Sequence, residues 1–356
     1  MWCYILDIDY NIQEDEPMKL YRGINFGGYF SQCEHSLKHY ETFITKEDVK
    51  RVVDLGFDHI RLPIDYEVLE TEEGEEYLEG IAYVNQFLMW CKEYNIDVVL
   101  DLHKAYGYDF NDAGDELKNT LFSNVDLQNR FVDLWVRIAQ RYGKLDYVAF
   151  ELLNEVVEEQ VAEPWNQLID ATVDAIRRHA PDTPIIYGGI QWNSARTLKL
   201  LNKPEFDNIY FTFHMYEPLI FTHQKAHWVP NMPMDKTIEY PATMEYYKEV
   251  SAIIGYKGKD VIVSKCKEMG KPFLIEMISE AVDAAKEAGV KLYCGEFGVI
   301  DRAPVEDTLR WYRDIFDVFK QYDIHAAVWS YKEMDFGVTD EHYAPIADEL
   351  FEIMTK

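Results

Sequence analysis

The chain is 356 residues long and 48% hydrophobic, with 64 acidic against 35 basic side chains and a formal charge of −29. Such length and apolar content provide a large folded core and argue against a disordered chain. So acidic a protein would be repelled by nucleic-acid phosphate and by anionic membrane, which leaves a neutral or cationic partner. Aromatic residues reach 15%, with 25 tyrosines. Part of these rings is core, and any that are exposed would suit a ligand with flat apolar faces, such as a sugar chain.

The five cysteines, Cys3, Cys33, Cys91, Cys266 and Cys294, are odd in number and widely spaced, with no CxxC pair. They form no disulfide framework, as expected in a reducing compartment or in a fold too large to need staples. No apolar run approaches a membrane span. Residues 1–16 are acidic where a signal peptide needs a basic end and an apolar core. Met18 directly precedes the first strand-like run. Residues 1–17 are therefore expected to be a dispensable extension of a domain over 18–356. The protein is expected to be a cytoplasmic monomer, or secreted with its signal outside this sequence.

Residues 20–25 read as a first strand, followed by the turn Gly27-Gly28. Thr45-Lys46-Glu47-Asp48 is a capping-box start to a helix that Gly56 ends. Strand two covers 58–62, the Glu-rich stretch 67–79 is a solvated loop, and 77–94 has the pattern of an amphipathic helix. Strand three covers 97–102. Asp126 is expected to cap a helix to about 142, and strand four runs through Val148-Ala149-Phe150 to end at Glu155. Pro164 is expected to open a helix to about 179. Strand five covers 184–187, with a short helix near 196–201, and strand six covers 209–216. Residues 279–288 and 304–322 are helical, on either side of strand seven, which ends at Glu296. Strand eight covers 326–330 and a last helix covers 342–354. Strand then helix, eight times over, predicts an α/β fold of the (β/α)8 TIM-barrel class. Residues 217–270 interrupt the alternation with Trp228, Pro230, Pro233 and Pro241. So long a connection is expected to be a small inserted lid subdomain over the strand-six side of the barrel mouth.

In such a barrel the site lies at the C-terminal ends of the strands. The polar residues there are Arg61, His103, Asn154, Glu155, His214, Tyr216 and Glu296, joined by Trp329 on strand eight. His214 and Tyr216 share one side of their strand, as do Asp101 and His103. Two carboxylates facing one cleft are the usual means of cleaving a glycosidic bond. A metal hydrolase is disfavoured, because no HxH follows strand one and HExxH is absent from the sequence. Walker and dinucleotide glycine patterns are absent too.

In this order, Arg61, His103, Asn154-Glu155, His214-Met215-Tyr216, Glu296 and Trp329 resemble the recurrent set of glycoside hydrolase family 5. The resemblance covers about 20–350. Further stretches, among them Phe57-Asp58-His59-Ile60-Arg61-Leu62-Pro63 and the run from Phe221 to Trp228, resemble its clostridial endoglucanase branch, which also carries an insertion after strand six. Val156 stands where that family usually has proline. The resemblance implies a retaining endo-β-1,4-glucanase acting on β-glucan oligo- or polysaccharide without metal or cofactor. It implies Glu155 as acid/base, Glu296 as nucleophile, Asn154 on the sugar 2-hydroxyl, His103 and His214 as orienting groups, and Trp329 as the floor under the cleaved sugar. Tyr106, Trp192 and Trp228 are candidate platforms for flanking sugars, and Asn25 and His35 are candidates for the cleft wall. The catalytic set is shared with mixed-linkage glucanases, glucomannanases, mannanases and exo-glucosidases, which stay open as alternatives. A non-catalytic carbohydrate-binding barrel is the rival of another class, and it would be expected to lack one carboxylate.

Overall fold

The computed structural model describes residues 18–356, so the reading of 1–17 as an extension lies outside the described residues. Eight parallel strands close into a barrel in sequence order. They are β1 (Arg22–Asn25), β2 (His59–Asp65), β3 (Asp97–Lys104), β4 (Val148–Glu151), β5 (Ile185–Gly188), β6 (Ile209–Met215), β7 (Lys291–Phe297) and β8 (His325–Val328). Almost every strand residue is buried. One face packs on the helices and the other fills the barrel, which is why the strands read as apolar runs and not as alternating ones.

Alternation along each strand decides what fills the interior. Val99, Ala149, Ile186, Tyr210, Tyr293 and Ala327, with Leu20 below them, form a closed apolar cluster. Two residues further along their strands come Asp101 on β3, Glu151 on β4 and Thr212 on β6. A polar layer thus rests directly on an apolar plug, and the side chains that must be polar for chemistry are lifted to the mouth.

The helix Lys46–Leu55 has the expected capping box at Thr45 and ends on Gly56 in the left-handed region. Other boundaries move. Asn124 caps the helix Val125–Tyr142 instead of Asp126, because its side chain accepts from the Asp126 and Leu127 amides. Pro164 lies inside the first turn of the helix Ala162–Arg177, where its missing N–H would have had no partner. After β5 the chain makes only the 3-10 turn Ala195–Leu200, so a full crossover helix is missing at that connection. Helix Lys271–Ala288 begins eight residues before the expected 279. The last helix divides into Glu341–Ile346 and Ala347–Thr355, with Pro345 closing the first piece.

Between β6 and Lys271 the insertion folds into four short pieces, Leu219–Thr222, Met244–Ser251, Ala252–Gly258 and Lys259–Val263. Trp311 Nε1 donates to the Glu217 carbonyl at 3.1 Å, and the Ile300 amide donates to the Thr222 carbonyl. The insertion is thereby tied to the β7 side of the mouth. Among the described residues no helix is long and apolar enough to cross a membrane.

Candidate active site

Arg61 is the centre of the polar layer and is fully buried. Its Nε and Nη2 donate to the two oxygens of Glu151 at 2.7 and 3.0 Å. Nη1 donates to Asn25 Oδ1 at 3.0 Å and to Glu296 Oε1 at 2.8 Å. Nη2 also meets Asn154 Oδ1 at 2.9 Å and Asp101 Oδ2 at 3.0 Å. A buried cation is tolerable only when paired and fully hydrogen-bonded, and this one is. Burial works against its charge, but Asp101, Glu151 and Glu296 hold its pKa well above the usual value. Asn25 is fixed in turn by donating to the Gly295, Ala327 and Val328 carbonyls.

Glu296 stands within β7, where the pairing with β6 slips between Phe213 and His214. Such a bulge re-aims a side chain, and here it sets His214 against Glu296. Gly295 is the residue that makes room: a Cβ there would lie 3.0 Å from Thr212 Oγ1 and 3.4 Å from Arg61 Nε. Tyr216 donates its hydroxyl to Glu296 Oε2 at 3.0 Å. Burial and the Glu296 charge push the Tyr216 pKa far up, so that hydroxyl remains a donor.

Glu155 lies beyond β4, in a turn where its φ is 41°. A non-glycine residue in the left-handed region is strained and persists only where its surroundings hold it. Here the Asn154 amide donates to the Leu102 carbonyl. Tyr108 donates to the Glu155 carbonyl at 3.0 Å and accepts from the Val157 amide at 2.7 Å. The Glu155 side chain meets His214 Nδ1 at 2.8 Å. Asn193 Nδ2 faces the other ring nitrogen at 3.4 Å. With that nitrogen accepting, Nδ1–H is the donor to Glu155. Burial lowers the His214 pKa to about 4, although Glu296 and Glu151 oppose it, so the imidazole is neutral at pH 7. Burial raises Glu155 to about 7 against the pull of His103, Arg61 and Lys257. Oxygens of Glu155 and Glu296 and a nitrogen of His214 all lie within 4.8 Å of one another.

The other candidates sit around this pair. His103 binds Asp101 through Nδ1 at 2.6 Å, and its ring lies parallel to Trp329 at 6.0 Å between centroids. His35 is at the rim, bonded to Tyr40 and to Asp65. Asp65 accepts the Gln32 amide, and the Gln32 side chain reaches His103 Nε2 at 3.3 Å, so His35 joins the cleft through two intermediaries. One face of Tyr106 is taken by the Arg130 guanidinium at 3.8 Å. One face of Trp192 is taken by Lys257 at 3.6 Å. Trp228 is 44% exposed, standing on edge against His227. Among the described residues two groups have the donor set for a cation: Glu155, His214 and Glu296, and His35, Asp65 and Glu67.

Glu151, Gln32, Asp65 and Lys257 belong to the site or its support and were missed by sequence reasoning. Glu151 carried a usable signal: a carboxylate in the middle of an apolar strand requires a buried cation, and Arg61 was already a candidate. Gln32, Asp65 and Lys257 are ordinary surface residues by pattern, and only the fold brings them in.

A model described as cellulase, glycosyl hydrolase family 5, matches residues 22–335. The chain is 39% identical over 341 residues to Endoglucanase C of Acetivibrio thermocellus, covering 94% of this chain and 97% of that protein. It is 36% identical over 304 residues to Cellodextrinase A of Ruminococcus flavefaciens, covering 85% and 83%. Among solved structures, endoglucanase Cel5A of Thermotoga maritima superposes with a TM-score of 0.74 at 23% identity, covering 94% and 97%, a likeness of fold. With a family model over most of its length and relatives this similar from end to end, the chain belongs to glycosyl hydrolase family 5 and is a glycoside hydrolase.

Proposed function

We propose that this enzyme is an endo-β-1,4-glucanase that hydrolyses internal bonds of β-glucan by double displacement, with Glu155 as acid/base and Glu296 as nucleophile. The observation that carries the reading is the close approach of the two carboxylates, one oxygen of each lying within 4.8 Å of the other, from unlike surroundings. A retaining pair stands about 5–5.5 Å apart, whereas an inverting pair needs roughly 6.5–9.5 Å to admit a water. The names of the two relatives favour a β-1,4-glucan substrate over a mannan.

Glu296 receives two donors, Arg61 and Tyr216, which stabilise its negative charge and aim it for attack on the anomeric carbon. Glu155 is raised to about 7 by burial and keeps its proton for the departing oxygen. After that transfer its carboxylate takes a proton from the water that cleaves the glycosyl-enzyme. His214, neutral and donating, orients Glu155 without fixing it as an anion. Asn154, held by Arg61 at 2.9 Å, offers its amide to the sugar 2-hydroxyl. Trp329 lies beneath the glycone, and residues 217–270 act as a lid on the leaving-group side.

Two measurements test this. The viscosity of a soluble cellulose derivative is expected to fall faster than reducing ends appear; release of terminal glucose alone from the outset would refute endo action. Proton NMR in the first minutes is expected to show the β-anomer first. Initial appearance of the α-anomer would make Glu296 a base acting through water and would overturn the nucleophile assignment.

A further inference from the structure

The insertion approaches the acid/base through the turn Gly255-Tyr256-Lys257-Gly258, whose Lys257 stands on Trp192, the residue bonded through its amide to the Val156 carbonyl next to Glu155. Gly255 has φ 58° and ψ −126°, a conformation open essentially to glycine alone. A Cβ on Gly258 would lie 2.0 Å from the Ser251 carbonyl oxygen. The two glycines fold the chain tightly back on itself and leave Tyr256, 68% exposed, and Lys257 projecting. Asp260, just beyond, pairs with Arg196 on the 3-10 turn after β5, which anchors the turn to the barrel.

Lys257 Nζ sits 3.6 Å from the centre of the Trp192 ring. Trp192 is the middle one of three consecutive left-handed residues, Gln191, Trp192 and Asn193. Strain of this kind persists where a precise placement repays it. The Trp192 amide donates to the Val156 carbonyl at 3.1 Å, and the His214 amide donates to the Asn193 carbonyl at 2.9 Å. The strained loop therefore grips both the residue after Glu155 and the imidazole bonded to Glu155. Trp329 and His103 occupy the opposite, glycone side. The proton from Glu155 goes to the departing sugar, so the space between Glu155 and the Gly255–Gly258 turn is where that sugar must lie.

We propose that Lys257 is a specificity-determining residue of the leaving-group side: its ammonium, steadied on Trp192, donates to hydroxyls of the departing sugar and couples the insertion to Glu155. The inference rests on the glycosidase reading above. An ammonium has three donor hydrogens, and the ring face occupies only one direction. The face of Trp192 under Lys257 is thus closed to a sugar, and the contact offered there is a cation. The titratable groups around Glu155 are His214 from β6 and Tyr216 just beyond it, Glu296 from β7, Arg61 from β2, Asp101 and His103 from β3, Tyr108 from the loop after β3 and Lys257 from the insertion. Among these, His103, Arg61 and Lys257 draw the Glu155 pKa down, and the half-buried Glu217 favours the charged form of Lys257 from a distance.

The test compares Lys257→Met and Lys257→Arg in the full chain on two substrates, cellotetraose and an aryl β-cellobioside that has no leaving-group sugar. In Lys257→Met, kcat/KM for cellotetraose is expected to fall about tenfold more than for the aryl substrate. The alkaline limb on cellotetraose, whose departing sugar needs the proton, is expected to move to higher pH, because removing a cation lets the Glu155 pKa rise. Lys257→Arg should restore both. Equal loss on the two substrates, or an unmoved alkaline limb, would overturn the proposal. A wild-type enzyme inert towards both would overturn the β-1,4-glucanase reading itself, and this proposal with it.

Discussion

The end of β7 and the turn after β4 each present a glutamate to the same cleft, yet they do so by opposite means. Glu296 belongs to a regular strand, is re-aimed by a bulge, and takes its hydrogen bonds from a permanent cation and a phenol. Glu155 sits at φ 41° beyond its strand and leans on a neutral imidazole. Identical side chains thus receive different electrostatic surroundings, and in two-carboxylate catalysis the surroundings separate the roles. The stiff, charged end suits a group that must attack as an anion. The neutral turn suits a group that must gain and lose a proton in one cycle.

The largest expected effect comes from removing the charged side of this contrast. Glu296→Gln should abolish turnover of every substrate, and normal hydrolysis of an aryl cellobioside by this variant would dissolve the distinction. Removing the other side should cost less and depend on the substrate. Glu155→Ala should lose about 10²- to 10⁴-fold on oligosaccharides but spare glycosyl-enzyme formation from aryl glycosides, and azide should restore turnover. Equal loss on both substrate types without rescue would reverse the assignment.

Arg61→Met probes what holds the two sides apart. It leaves Asp101 and Glu151 buried without their cation, and loss of one partner of a buried pair costs about 3–5 kcal/mol. Urea unfolding should register that loss, and an unchanged midpoint would mean the acids have already neutralised. Tyr216→Phe removes one charge-assisted donor from Glu296 only. At about 1.5–3 kcal/mol it should lower kcat roughly ten- to hundredfold, with the alkaline limb left in place. A moved limb would show that Tyr216 serves Glu155 as well.

The smallest effect concerns pH. Glu155 is raised to about 7 and must be protonated to act as an acid, so kcat/KM should fall as pH rises through about 7. His214, depressed to about 4, stays neutral across that range and contributes no limb there. An alkaline limb near the ordinary glutamate value would mean that burial of Glu155 is relieved in solution.

Much of the mouth was legible because barrel strands advertise themselves. An apolar run of four to seven residues ending in a polar one marks both a strand and the end that carries function. Arg61, His103, Glu155, His214 and Glu296 could be placed in this way. Glu151 was legible in principle, since a lone acid between Phe150 and Leu152 needs a buried partner. Helix boundaries were less so: Asn124 and Asp126 are both competent caps, and only the backbone path decides which side chain turns back.

Local pattern by itself determined the eight strands, the β6 insertion and the order of polar residues around the mouth, because periodicity and strand ends are short-range properties of a chain. The tertiary structure decided which of those residues touch. It joined Arg61 to five carboxylate or amide neighbours from β1, β3, β4, β7 and the turn after β4, gave Glu155 a neutral partner, and gave one face each of Tyr106 and Trp192 to a cation. Those contacts link residues up to 235 positions apart. They depend on barrel closure, strand stagger and one bulge, none of which a local window of sequence contains.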